Sequence, residues 1–258
     1  MKKISLIYWF FCCFIAVPLL AQISVADSVA KYMAKGEALA AQYNHSGAAT
    51  AYIAVVRFDP NNYEAAWKAG DQLTEYADRL PDKEKSQKEA YFQQSRSWCE
   101  QAIAINPQGW EGHFRLAVAL GRLALFKGGK EKINLSKMIK AEADTALALN
   151  PQGDLVHHLL GRWHQNLANL SGVLKFFAKV LYGGVPPGSN EEAVAHFKKA
   201  IEIDPNHIEH YLELARTYQF MDQEELMREP LETVLSLPSI DEDDPKFKEE
   251  AAEMLKKL

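Results

Sequence analysis

The stretch AVAHFKKAIEIDPNHIEHYLELARTY, residues 193–218, decides the fold. Counting back from Pro205, Ala200, Phe197 and Ala193 lie 5, 8 and 12 residues upstream and share one helix face. Counting forward, Tyr211, Leu214, Ala215 and Tyr218 lie 6, 9, 10 and 13 residues downstream. Proline disfavours the α conformation in the residue before it, so Asp204-Pro205 ends one helix and opens a turn. The small side chains let two antiparallel helices approach closely, and the large ones fill the space between them. The stretch therefore reads as a pair of helices joined by a turn.

Three further segments end alike: Val55-Val56-Arg57-Phe58-Asp59-Pro60, Ala102-Ile103-Ala104-Ile105-Asn106-Pro107 and Ala146-Leu147-Ala148-Leu149-Asn150-Pro151. Each is a helical apolar pattern closed by Asn/Asp-Pro. With these positions the chain resembles the tetratricopeptide repeat, a helix-turn-helix of 34 residues. Tyr32, Gly36, Leu39, Ala48, Tyr52, Val55 and Pro60 match that pattern without gaps, and Asn44 and Gly47 bracket its turn. The last unit, Pro205 to Pro238, is close to one period. The units between are stretched, with 47 residues from Pro60 to Pro107, 44 to Pro151 and 54 to Pro205. No stretch shows sustained strand alternation with turn punctuation. The expected fold is all-α, a tetratricopeptide-like helical-repeat solenoid.

The stretched units hold further elements. Val173, Phe176, Phe177, Val180 and Leu181 sit at i, i+3, i+4, i+7 and i+8, with Lys175 and Lys179 on the other face. That predicts an amphipathic helix within an insert over 171–189. Gly183-Gly184-Val185-Pro186-Pro187-Gly188 breaks it, and Ser189 with Glu192 reads as a capping box for the next helix. A stripe this wide is normally buried, so packing onto the repeat is expected, with a pocket wall or a membrane contact as the alternatives. Over 245–258, Phe247, Ala251, Met254, Leu255 and Leu258 share one face, which predicts a helix capping the last repeat. The inserted helix, the Pro-Pro loop, the Gly128-Gly129-Lys130 break and the Lys-rich helix after it resemble the regulator of microtubule dynamics proteins. The likeness spans about Asp59 to Pro238 and runs through His113-Phe114-Arg115-Leu116-Ala117 and Phe177-Ala178-Lys179-Val180-Leu181.

The first residues read as an address. Lys2 and Lys3 precede an apolar run from Ile4 to Leu20, and small residues follow at Ala21, Ser24 and Ala26. That order is a secretory signal over 1–21, with cleavage as late as residue 26. A retained anchor is the competing reading, and membrane contact is expected only in that case. Residues 22–258 then form a single helical-repeat domain outside the cytosol, most simply in the periplasm of a Gram-negative bacterium. The microtubule role that names the family is accordingly not carried over.

Composition narrows the rest. Of 258 residues, 48% are apolar and 24% charged, a globular balance. The net charge of −5 lacks the basic footprint that nucleic acid requires. Cys12 and Cys13 lie in the apolar run, which leaves Cys99 alone, a small buried hydrophobe or a reactive thiol. Lys127, Lys130, Lys132, Lys137 and Lys140 are broken by Glu131 and Glu142 and read as a solvated helix face. His207 and His210 are three apart and no third ligand is evident, so no metal site is expected. No nucleophile elbow, Walker loop, dinucleotide fingerprint or EF-hand loop occurs, and no cofactor or enzyme activity is expected.

In tetratricopeptide proteins the first helix of each pair lines a concave groove. By that resemblance the lining here is Trp67, Asp71, Phe114, Arg122, His158, Arg162, Gln165, Asn166, Leu212, Arg216 and Gln219. Arginine forks match carboxylates, so the expected partner is a protein or peptide, acidic or presenting a C-terminal carboxylate. The opposing reading pairs these arginines with neighbouring Glu and Asp. The chain thus reads as an exported, non-enzymatic scaffold. The alternative is a small-molecule-binding accessory subunit of a periplasmic transport system, with the inserted helix closing a pocket against His158 and Trp163.

Overall fold

Four helices stop in the same way. The amide of Asp59, Asn106, Asn150 or Asp204 donates to the carbonyl of Val55, Ala102, Ala146 or Ala200, at 2.8–2.9 Å. Each of those capping residues then turns extended, with φ between −124° and −138°, ahead of its proline. The Asn/Asp-Pro words of the sequence are these stops. Side chains open several of the helices. Asn44 accepts from the amide of Gly47, and Asn62 from that of Ala65.

The structure is a computed structural model that describes residues 25–258. All regular structure among the described residues is helical, which bears out the tetratricopeptide-like helical-repeat fold. The signal read in residues 1–21 lies outside them. No helix among the described residues is long and apolar enough to cross a membrane.

The chain divides into two compact units, one ending at Asn106 and the other running from Pro107 to Leu258, within the span read from sequence as one domain. The first unit contains α1 (25–40), α2 (His45–Phe58), α3 (Tyr63–Arg79) and α4 (Lys85–Ile105). The second contains α5 (Trp110–Ala124), α6 (Gly129–Leu149), α7 (Asp154–Ala168), α8 (Gly172–Tyr182), α9 (Asn190–Ile203), α10 (Ile208–Phe220), α11 (Arg228–Ser236) and α12 (Asp244–Leu255). The stretched spacings go into the long α4 and α6, of 21 residues each, and into α8 with its loop.

Within a pair, a glycine of the first helix meets a larger side chain of the second. A Cβ added to Gly36 would lie 2.5 Å from Tyr52, one on Gly70 2.6 Å from Cys99 Sγ, and one on Gly161 2.7 Å from Phe197. Tyr52, Cys99 and Phe197 are buried, so these approaches hold the pairs together. Cys99 is thus a core residue against Gly70. The core of the second unit gathers Phe197, Ile208, Leu212, Tyr218, Met227 and Leu231.

The last helix caps that core as its pattern predicts. Ala251 and Met254 are buried, and Phe247 and Leu255 pack against the same cluster. Leu258 lies beyond the helix and stays exposed. Ser189 accepts from the amide of Glu192 at 3.2 Å, but its hydroxyl turns to Glu191, so the predicted capping box forms in part.

The inserted helix departs from expectation. α8 forms where the periodicity places it, started by Ser171 and ended by Gly183 in the left-handed region. Its stripe is not packed away. Val173, Leu174, Phe176, Phe177, Val180 and Leu181 are 53–65% exposed, and only Ala178 is buried. α8 touches α6, with Tyr182 beside Gly129. It leaves and rejoins the repeat at a reciprocal amide pair, Asn169 Nδ2 to Asn190 Oδ1 at 2.8 Å and Asn190 Nδ2 to Asn169 Oδ1 at 3.3 Å.

Candidate functional site

In the second unit, α7 and α10 bring their polar side chains onto one carboxylate, Glu213. Glu213 is fully buried, yet it accepts from the guanidinium groups of both Arg162 and Arg216. Gln165 Nε2 reaches Glu213 Oε2 at 3.1 Å and Thr217 Oγ1 at 3.0 Å, and the Thr217 hydroxyl donates to the Glu213 carbonyl at 2.7 Å. Arg216 also forks onto Glu250 of α12, with Nε 2.8 Å from Oε1. Arg162 lies 3.8 Å from Glu209. A buried charge is tolerated only when paired and hydrogen-bonded, and Glu213 has both. Burial pushes the Glu209 carboxyl above its usual value, and the opposing pull of Arg162 does not cancel it. The Nε of Arg162 is buried with no hydrogen-bond partner among the described residues.

Beside this lies a chain of imidazoles. His210, fully buried, holds its Nε2 3.3 Å from Asp154 Oδ2 and its Nδ1 3.0 Å from His158 Nδ1. An ionised carboxylate only accepts, so His210 Nε2 carries the proton and its Nδ1 accepts from His158. His158 Nε2 faces Glu209 at 3.7 Å. The ring of His207 lies 4.2 Å from that of His210. Burial holds His158 well below the ordinary imidazole value, and His210 below it despite Asp154. Burial would raise Asp154, but the hydrogen bond and charge of His210 outweigh it and keep the carboxyl low. A second group joins His157 Nδ1 to His196 Nδ1 at 3.1 Å, with His164 stacked on His196. Burial, with His157 and His164 adding to it, holds His196 down at about 4.

The predicted lining divides accordingly. His158, Arg162, Gln165 and Arg216 come together, with Asn166 and Gln219 exposed at the edge. Arg122, half-buried on α5, is near enough to act on Glu209. Phe114 and Leu212 do not line a surface, because both are buried in the core. Trp67 and Asp71 belong to the first unit, half-buried on α3, with Lys68 Nζ 5.7 Å from the Trp67 ring. The arginines expected to await a partner's carboxylate are engaged by Glu209, Glu213 and Glu250 of this chain. The helix periodicity places Glu213 between Leu212 and Leu214 without showing that it faces α7. His158 and Trp163 do not line the cleft beside the inserted helix. This open cleft of about 420 Å³ is walled by Leu167, Lys175, Lys179 and the Gly183–Gly188 loop. Trp163 is buried, with its Nε1 donating to the Ser136 carbonyl.

A sequence profile described as regulator of microtubule dynamics protein 1-3 matches residues 32–258. Regulator of microtubule dynamics protein 1 of Bos taurus is 28% identical over 195 residues, 75% of this chain and 61% of that protein. Regulator of microtubule dynamics protein 2 of Macaca fascicularis is 28% identical over 173 residues, 67% of this chain and 42% of that protein. The chain thus spans from about two-fifths to three-fifths of the length of these relatives. Among solved structures, a thermophilic tetratricopeptide protein of Thermus thermophilus superposes with a TM-score of 0.63 at 16% identity, covering 88% of this chain and 98% of its own. MamA of Desulfovibrio magneticus RS-1 gives 0.53 at 14% identity, over 82% and 95%. At these identities the structures share the fold.

Proposed function

This chain belongs to the regulator of microtubule dynamics protein 1-3 family, and on that footing we propose that it is a non-enzymatic helical-repeat scaffold. It binds a protein or peptide on the face formed by α7 and α10, by way of a carboxylate of the partner. The observation that carries this reading is the pair of guanidinium groups gathered on buried Glu213. Their side chains remain 35% and 25% exposed, so they are held in place at a surface. Arg216 is taken up on all three nitrogens by Glu213 and Glu250, so the partner's carboxylate meets the exposed side of Arg162, which Glu213 already holds in place.

The export reading belongs to the same proposal. It rests on Lys2, Lys3 and the apolar run to Leu20, and places the protein in the periplasm of a Gram-negative bacterium. There it would not meet microtubules, so the role in the relatives' name is not extended to it.

The test is a photo-reactive residue at Asn166 or Gln219, both exposed beside the arginines, with Lys198 on α9 as the control position. Crosslinking from the first two but not from Lys198, suppressed by an acidic peptide with a free C-terminus, is the expected result. Equal adducts from all three positions would remove the α7–α10 face from consideration. The cleft beside α8, with two lysines and apolar walls, favours a second reading as a carrier of a carboxylate-bearing small molecule. That reading predicts a rise in melting temperature with such a ligand, lost in Lys175→Ala with Lys179→Ala.

A further inference from the structure

We propose that Asp154, His207 and His210 form a binding site for a divalent transition metal ion of the zinc class. One ligand atom from each lies within 4.8 Å of the other two. Two imidazole nitrogens and a carboxylate oxygen are a donor set that zinc takes, at about 2.0–2.2 Å from each, with a fourth position left for water. His210 Nε2 and Asp154 Oδ2, 3.3 Å apart, already have the spacing of two tetrahedral ligands around such an ion. The His207 ligand atom lies within 4.8 Å of both, so its half-buried ring has to turn inward to close the third edge.

The groups around the ligands fit the same role. Metal-bound histidine donates its other ring N–H to an acceptor, which fixes the tautomer. Here His210 Nδ1 meets His158 Nδ1 at 3.0 Å. With the ion on His210 Nε2, the proton moves to His210 Nδ1 and is donated to His158 Nδ1. His158 then carries its own proton on Nε2, facing Glu209 at 3.7 Å. The relay runs from the metal through two imidazoles, each in its other tautomer, with the Glu209 carboxylate 3.7 Å beyond. His210 is sealed from solvent while Asp154 and His207 are half-buried, so the ion enters on their side. Asp154 opens α7 and His207 is the N-cap of α10. Those helix ends oppose a cation modestly, and the Asp154 charge offsets them.

The sequence offered His207 and His210 without a third ligand. Asp154, 53 residues earlier, is supplied by the repeat, which sets the start of α7 beside the start of α10.

The test is Zn2+ titration of the metal-stripped full chain by calorimetry, with Co2+ absorption as the reporter of tetrahedral nitrogen–oxygen ligation. One Zn2+ per chain is expected, with a higher melting temperature. His207→Ala and Asp154→Asn should each weaken binding by about tenfold or more. Both positions are half-buried, and unchanged helical circular dichroism of the metal-free variants shows that they fold. His196→Ala, in the neighbouring imidazole group, should leave the affinity unchanged. No uptake at about millimolar Zn2+, the same affinity in His207→Ala and Asp154→Asn, or loss in His196→Ala alone would each overturn the assignment.

Discussion

Glu213 shows no surface to solvent and yet carries the charge that two guanidinium groups need. Removing one partner of a buried ionic group costs more than the group contributes intact, because the remaining charges are stranded. Glu213→Leu is therefore expected to lower the unfolding free energy by about 3 kcal/mol, the low end of the usual range, since Arg216 keeps Glu250. Arg162→Met with Arg216→Met in the same protein should recover most of that loss in urea titration. No recovery would mean that Glu213 matters through its packing. Gly161 is the second residue whose surroundings leave no choice. Its Cβ would fall 2.7–3.0 Å from the ring of fully buried Phe197, so Gly161→Ala should cost about 1–3 kcal/mol. Its neighbour Phe197 was legible from the spacing to Pro205. Glu213 was not, because helix spacing shows which residues share a face and leaves open what that face meets.

Among the elements, the repeat helices follow from local chemistry: Asn/Asp-Pro stops, Asn caps and small residues at close approaches. α8 follows from its periodicity in extent and not in setting. An amphipathic pattern fixes the apolar side of a helix, while its burial depends on whether a neighbour has room for it. Here the apolar side chains face solvent, so they contribute little to stability. Phe176→Ser with Phe177→Ser should change the unfolding free energy by less than about 1 kcal/mol while cutting fluorescence of an apolar dye. A loss above about 2 kcal/mol would show that both rings are packed in solution. Cys99 gives the contrast. Fully buried, its thiol should react with a disulfide reagent only as fast as the first unit opens, accelerating with urea as unfolding does.

At the scale of the whole molecule, five histidines among the described residues are held below the ordinary imidazole value, chiefly by burial: His157, His158, His164, His196 and His210. Between about pH 6.5 and 4 the unfolded chain binds more protons at these sites than the folded one, so stability falls as pH falls through that window. Glu209, raised by burial, works in the opposite sense. His196, at about 4, has the largest share that can be stated, of the order of 1–2 kcal/mol after allowing for its partial exposure. Urea midpoints at pH 7.5 and pH 5 should show the drop, and His196→Asn should flatten it. The amide clasp of Asn169 and Asn190 has a consequence at this scale as well. A segment whose two ends already touch is a cassette. Residues 171–188 can be excised and the gap bridged by a short turn without asking α7 or α9 to move. Foreign sequences spliced at the same seam would be displayed on a scaffold that has no need of them to fold.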